Sequence, residues 1–177
     1  MTQFKSLITR FRRDEDGNAT VQFVVVFPIL FVLLAMAFEL GAITVREASL
    51  ERALDQVVRD IRLSTGAAPQ HDEIKSQICE IAPIIHDCEN SLRLEMVQLD
   101  PRNWSSPLSA VDCSDASVDV NPVRNFENGQ ENELMLLRVC AKVDPVFPAA
   151  GLGKQLPTDE AGQYALVATS AFVQEPK

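Results

Sequence analysis

Polar and apolar residues alternate along this chain in three successive patterns. The first is a run without a period: between Asp16 and Glu39 no side chain is charged, and most are Val, Leu, Ile, Phe or Ala. A helix rises about 1.5 Å per residue and the hydrocarbon of a bilayer is about 30 Å thick, so the run is long enough to cross one once. A lone strand in lipid would leave its N–H and C=O groups unpaired, which predicts a helix. Pro28 removes one backbone bond inside it, a local kink that membrane helices tolerate.

The second pattern is helical. Beyond Glu39, the residues Leu40, Ile43, Leu50, Leu54, Val57 and Ile61 recur at spacings of three, four or seven, interrupted by Glu47. Ser64, Thr65 and Gly66, followed by Pro69, supply the stop signal. One helix over 18–63 is therefore predicted, about 69 Å long, half apolar all round and half an amphipathic stalk. The stripe Leu50, Leu54, Val57 and Ile61 is a helix-packing surface. Either the chain's own domain or the equivalent helices of neighbouring subunits can cover it, and the near-heptad spacing suits the second.

The third pattern is mixed. Ile74, Ile78, Ile81, Ile84 and Ile85 keep helical spacing over 71–85, with Pro83 bending or ending that helix. Leu92, Leu94 and Met96 alternate with charged residues as in a half-buried strand, and 133–144 and 163–173 read as two more. Helices followed by strands predict an α+β fold with a small antiparallel sheet. Three regions result: a basic leader over 1–17, the long helix over 18–63 and a small domain over 64–177. Two irregular stretches, 101–132 and 145–162, are long enough to suggest function. The first contains Cys113, so a partner-contact loop shaped by a disulfide is expected there.

Charge gives the chain a direction. Lys5, Arg10, Arg12 and Arg13 precede the apolar run, and basic residues on that side hold it in the cytoplasm, with the domain on the far face. Formal net charge is −9, and residues 64–177 carry 8 basic against 17 acidic side chains. Such a surface repels a phosphate backbone and argues against nucleic acid as a partner. All four cysteines, Cys79, Cys88, Cys113 and Cys140, lie beyond the apolar run, as expected for disulfides in an oxidising compartment. Three connectivities are open. We prefer Cys79 with Cys88 and Cys113 with Cys140, Pro83 allowing the chain to turn back between the first two.

Candidates for chemistry are few, and no enzyme is expected. Cys79, His86 and Cys88 lack the paired close spacing of a structural zinc site, so neither metal nor cofactor is expected. His71, next to Asp72 and Glu73, reads as the polar start of a helix. Gly151, Gly153 and Lys154 suggest a phosphate loop, but the motif requires Gly where Pro148 stands and Ser or Thr where Gln155 stands. Trp104 reads as a satellite of the core.

Gly17, then Gln22 and Phe23, Pro28, and finally Glu39, Leu40 and Gly41 follow one spacing. With these residues the chain resembles the TadE/TadF-like minor pilins, or pseudopilins, of the tight-adherence (Flp pilus) system. The tail from Ala171 to Pro176 is similar to that family's Asn-Glu-Pro ending, with Gln174 in place of Asn. The resemblance implies that a prepilin peptidase cuts between Gly17 and Asn18 and leaves the helix in the inner membrane with the domain in the periplasm. It further implies partners among other pilin or pseudopilin subunits, the inner-membrane assembly platform and membrane lipid, and a role in pilus assembly or secretion without catalysis. One position departs: the family usually carries Glu where this chain has Gln22. Gln accepts a hydrogen bond but cannot neutralise a neighbour's amine, so it inserts more easily into lipid and recruits a neighbour less strongly. The competing expectation is a secretory signal peptide ending at Ala35, Met36 and Ala37, which would release a soluble binding domain near Phe38.

Overall fold

The computed structural model describes residues 18–63, 69–102, 111, 113 and 126–176. The leader with Gly17, first residue of the expected cleavage site, lies outside them, as do Trp104 and most of the expected partner-contact loop.

Helix α1 (Asn18–Leu63) is unbroken over 46 residues and passes through Pro28. Helix α2 (His71–Ile81) ends four residues short of the expected 85. The cause is Pro83, which disfavours helical backbone at the residue before it. Ala82 accordingly leaves the helix at φ −111°, ψ 61°. The chain then turns through Asp87, held at φ 52°, into a single turn of helix that the periodicity did not foretell, α3 (Cys88–Ser91). That reversal is what brings Cys79 and Cys88 together, with their Cα atoms 5.6 Å apart. On an unbroken helix they would stand about 13.5 Å apart.

Three strands follow: β1 (Leu92–Leu99), β2 (Leu134–Val143) and β3 (Tyr164–Val173). They form one antiparallel sheet in the order β1-β2-β3. Side chains alternate between the two faces of a sheet. Leu94, Met96, Leu137, Val139, Leu166, Ala168 and Phe172 therefore share the inner face, where they meet α1 and α2 in one core. Arg93, Glu95, Arg138 and Cys140 point to the other face. There Glu95 and Arg138 pair across strands, Nη2 to Oε2 2.6 Å apart and both largely buried. Cys113 is tied to this outer face by its disulfide to Cys140, Cα to Cα 5.2 Å.

The stripe on α1 is covered by the chain's own domain. Leu50, Leu54 and Val57 are 1% exposed and Ile61 is 7% exposed, all within the core shared with Ile74 and Ile78 of α2 and the inner sheet face. Each such side chain contributes about 2 kcal/mol through its removal from water. Leu40, by contrast, is 58% exposed. The buried face of α1 at that level runs through Ala35 and Glu39 instead.

Candidate functional site: the open half of helix α1 and its clasps

Below Glu39, the described residues of the domain leave α1 almost uncovered. Every described side chain over 19–38 is exposed except Ala35, including Phe23, Phe31, Leu33 and Phe38. Phe23 stacks on Phe27 with ring centroids 4.9 Å apart, and Phe27 lies 6.2 Å from Phe31, so an aromatic ladder runs up one side. A helix that is apolar all round needs an apolar environment. Among the described residues this is the one helix long and apolar enough to cross a membrane.

Above that level α1 is fastened to the domain by polar clasps at three heights. At the lowest, the Glu39 side chain is fully buried. Its Oε1 accepts the N–H of Val146 at 3.0 Å and its Oε2 accepts the N–H of Phe147 at 2.7 Å. Hydrogen bonds to a buried carboxylate of this kind are among the stronger ones in proteins. The loop can come this close because of two glycines. Gly151 adopts φ +58°, and a Cβ there would lie 2.9 Å from Met36 Cγ. A Cβ on Gly153 would lie 2.5 Å from the Phe147 carbonyl oxygen and 3.1 Å from Glu39 Oε2. The two residues that suggested a failed phosphate loop thus serve to seat the connection between β2 and β3 against α1.

At mid-height Arg46 donates from Nη1 to the Asp144 carbonyl at 2.8 Å and to the Tyr164 hydroxyl at 3.1 Å. At the top, Gln174, largely buried, donates from Nε2 to the Ile61 carbonyl at 3.4 Å. Beside it Arg62 and Glu175 pair at 3.0 Å on the surface. The tail residues noted for their family-like ending are therefore the ones that hold the last turn of α1. Sequence reasoning gave Arg46 no role and read Glu39 and Gln174 only as pattern positions, because their partners lie about a hundred residues away in the chain.

The far leg of the same connection is fastened to the sheet. Asp159 Oδ2 accepts from Lys142 Nζ at 2.9 Å, and Oδ1 accepts the N–H groups of Gln163 at 2.9 Å and Ala161 at 3.1 Å. Burial pushes the Asp159 carboxyl upward, but the bonds from Lys142 and the two backbone amides, with the Lys142 charge, outweigh it. Its pKa is held below the ordinary value.

The remaining candidates are separated in space. Gln22 and Phe23 are exposed on the apolar half, and Pro28 lies within it. Gly41 faces open space, with nothing within 4 Å of where a Cβ would be. Cys79 and Cys88 are bonded to each other, which removes the zinc reading for them and His86. His71 opens α2, its Nδ1 2.8 Å from Asp72 Oδ1 and its ring edge-on to Phe126. Through that bond first and the charge of His71 second, the Asp72 pKa is lowered. No group of three or more metal-ligating side chains occurs among the described residues.

No curated protein and no solved structure matches the chain. Residues 17–59, which span the motif glycine, the open half of α1 and most of its clasped half, match the family model described as TadE-like protein. Over that segment, about a quarter of its length, the chain is similar to TadE-like proteins.

Proposed function

We propose that this protein is a minor pilin or pseudopilin of the Tad (Flp-type) pilus system, anchored in the inner membrane by the open half of α1. It takes part in pilus assembly or the associated secretion by packing against other subunits and the assembly platform, without catalysis. The observation that carries this reading is the pairing of an all-round apolar, uncovered helix with the TadE-like match over the same residues. In this reading the N-terminus is cytoplasmic, the α+β domain over 64–177 is periplasmic, and a prepilin peptidase cuts between Gly17 and Asn18.

The domain's cover over Leu50, Leu54, Val57 and Ile61 leaves the lower half of α1, with Gln22 and Phe23, as the helix surface available to neighbours. Processing by signal peptidase near Ala37 is disfavoured because α1 is continuous through that point and the domain loop lies against Met36. N-terminal sequencing of protein extracted from carbonate-washed membranes tests the proposal. The expected first residue is Asn18. A freely soluble product beginning near Phe38 overturns it.

A further inference from the structure

Resting on the reading that α1 spans the membrane, we propose that residues 145–153 form a second membrane contact, a loop seated in the boundary between headgroups and acyl chains beside the helix. No side chain in this stretch is charged or able to hydrogen bond, whereas Asp144 and Lys154 bound it on either side. Its apolar groups are open to the surroundings: Val146 is 46% exposed, and Pro148 and Ala149 are exposed as well.

Position decides what covers them. Counted from Asn18 at about 1.5 Å per residue, a hydrocarbon layer of about 30 Å ends near Phe38. The loop touches α1 at Glu39, through the Val146 and Phe147 amides, and at Met36, through Gly151. It therefore reaches from the edge of the hydrocarbon to a few ångströms inside it. A second copy of the chain has no such fixed level, whereas lipid is continuous with the surface that the helix already presents.

The backbone of the loop suits that depth. Irregular chain tolerates a lipid boundary only if its N–H groups are occupied. Pro145 and Pro148 have none, Val146 and Phe147 give theirs to Glu39, and Ala150 gives its own to the Phe147 carbonyl at 3.2 Å. The N–H groups of Ala149, Gly151, Leu152 and Gly153 are left to the water and headgroups of the boundary, which keeps the loop there and not deeper. Lys154, exposed just past the loop, can reach back to the headgroups with its ammonium while its stem lies along the apolar edge. Glu39 then has a double part, as the acceptor for two of the loop's amides and as the fastener that sets its depth.

Tryptophan fluorescence in vesicles tests this with the full chain. The single native tryptophan is changed to phenylalanine (Trp104→Phe), and Val146→Trp or, as a second exposed site, Ala149→Trp is introduced. Phe27→Trp, near the middle of the span, serves as the control. The proteins are reconstituted in phosphatidylcholine carrying bromine either near the headgroup end or deep in the acyl chain. The loop variants are expected to emit in the blue and to be quenched about twofold or more by the shallow bromines and less by the deep ones, as for an interfacial segment. Phe27→Trp is expected to show the reverse order. Loop variants that emit as in water, or that are shielded from both bromolipids and acrylamide, while Phe27→Trp is quenched, overturn the loop's membrane contact and leave the anchor standing. Absence of quenching in all three variants overturns the anchor itself and the loop contact with it.

Discussion

The two halves of α1 use the same apolar residue types to opposite ends. Above Glu39 they form a stripe: Leu50, Leu54 and Val57 are buried, and Glu47, Glu51, Arg52 and Asp55 occupy the other side. Below Glu39 there is no stripe, and Leu33 is 59% exposed while Leu54 is 1% exposed. The upper half carries its solvent boundary in its own sequence period. The lower half has none, so its boundary is set by something outside the chain. The difference shows why the domain can fold around one half of a helix and leave the other uncovered.

Truncating one leucine in each half gives the sharpest break between them. Leu54→Ala removes a side chain from the centre of the core and is expected to cost about 3 kcal/mol of domain stability, measured by denaturant unfolding in detergent. Leu33→Ala is expected to change it by less than about 0.5 kcal/mol. Equal effects at the two sites would mean that the domain's stability does not divide at Glu39.

The junction comes next. Glu39→Gln keeps one carbonyl oxygen for one amide but turns an NH2 toward the other, leaving a buried donor unpaired at about 1–3 kcal/mol. Hydrogen exchange at Val146 and Phe147 is expected to accelerate more than exchange in β2. If those two amides remain as protected as in the native protein, the loop is held by its apolar contacts and not by Glu39.

Much of this architecture can be read from local pattern. The long apolar helix follows from the gap in charge between Asp16 and Glu39, and the strands follow from alternation such as Leu92, Leu94, Met96. The clasps do not, for a physical reason: a carboxylate on the apolar side of a helix looks like an interruption until its partners are known. The periodicity therefore placed Leu40 on the covered face, although Glu39 occupies it. Similarly, Gly151 and Gly153 carry no local sign that a helix more than a hundred residues earlier in the chain needs their missing Cβ. Pro83, whose effect is purely local, ended α2 as its chemistry requires, only earlier than the isoleucine spacing suggested.

The outer fastening of the loop responds to acid. Because the Asp159 pKa is lowered on folding, its bonds contribute fully above the unfolded value of about 3.9 and are lost as pH falls through the folded value. Asp159→Asn retains an acceptor for the Ala161 and Gln163 amides but loses the charge partner of Lys142, at an expected cost of about 1 kcal/mol near neutral pH. An acid titration of unfolding is expected to flatten in this variant at the low end. A titration identical to the native one would show that Lys142 and the amides do not depend on that charge.

The smallest effect is expected at Gly41, two residues beyond Glu39 and so about 200° around the helix from the clasp. Among the described residues, no atom beyond the helix's own neighbouring backbone lies within 4 Å of a Cβ placed there, so no packing contact requires glycine. Alanine is the better helix former, and Gly41→Ala is expected to stabilise the isolated protein by about 0.5–1 kcal/mol. Glycine on an open helix face does let a second helix approach closely. The same substitution is therefore expected to reduce recovery of the protein in cross-linked complexes with other subunits, in the opposite direction to its effect on stability. A gain in stability with undiminished cross-linking would move the subunit contact away from this face, toward the aromatic ladder of Phe23, Phe27 and Phe31.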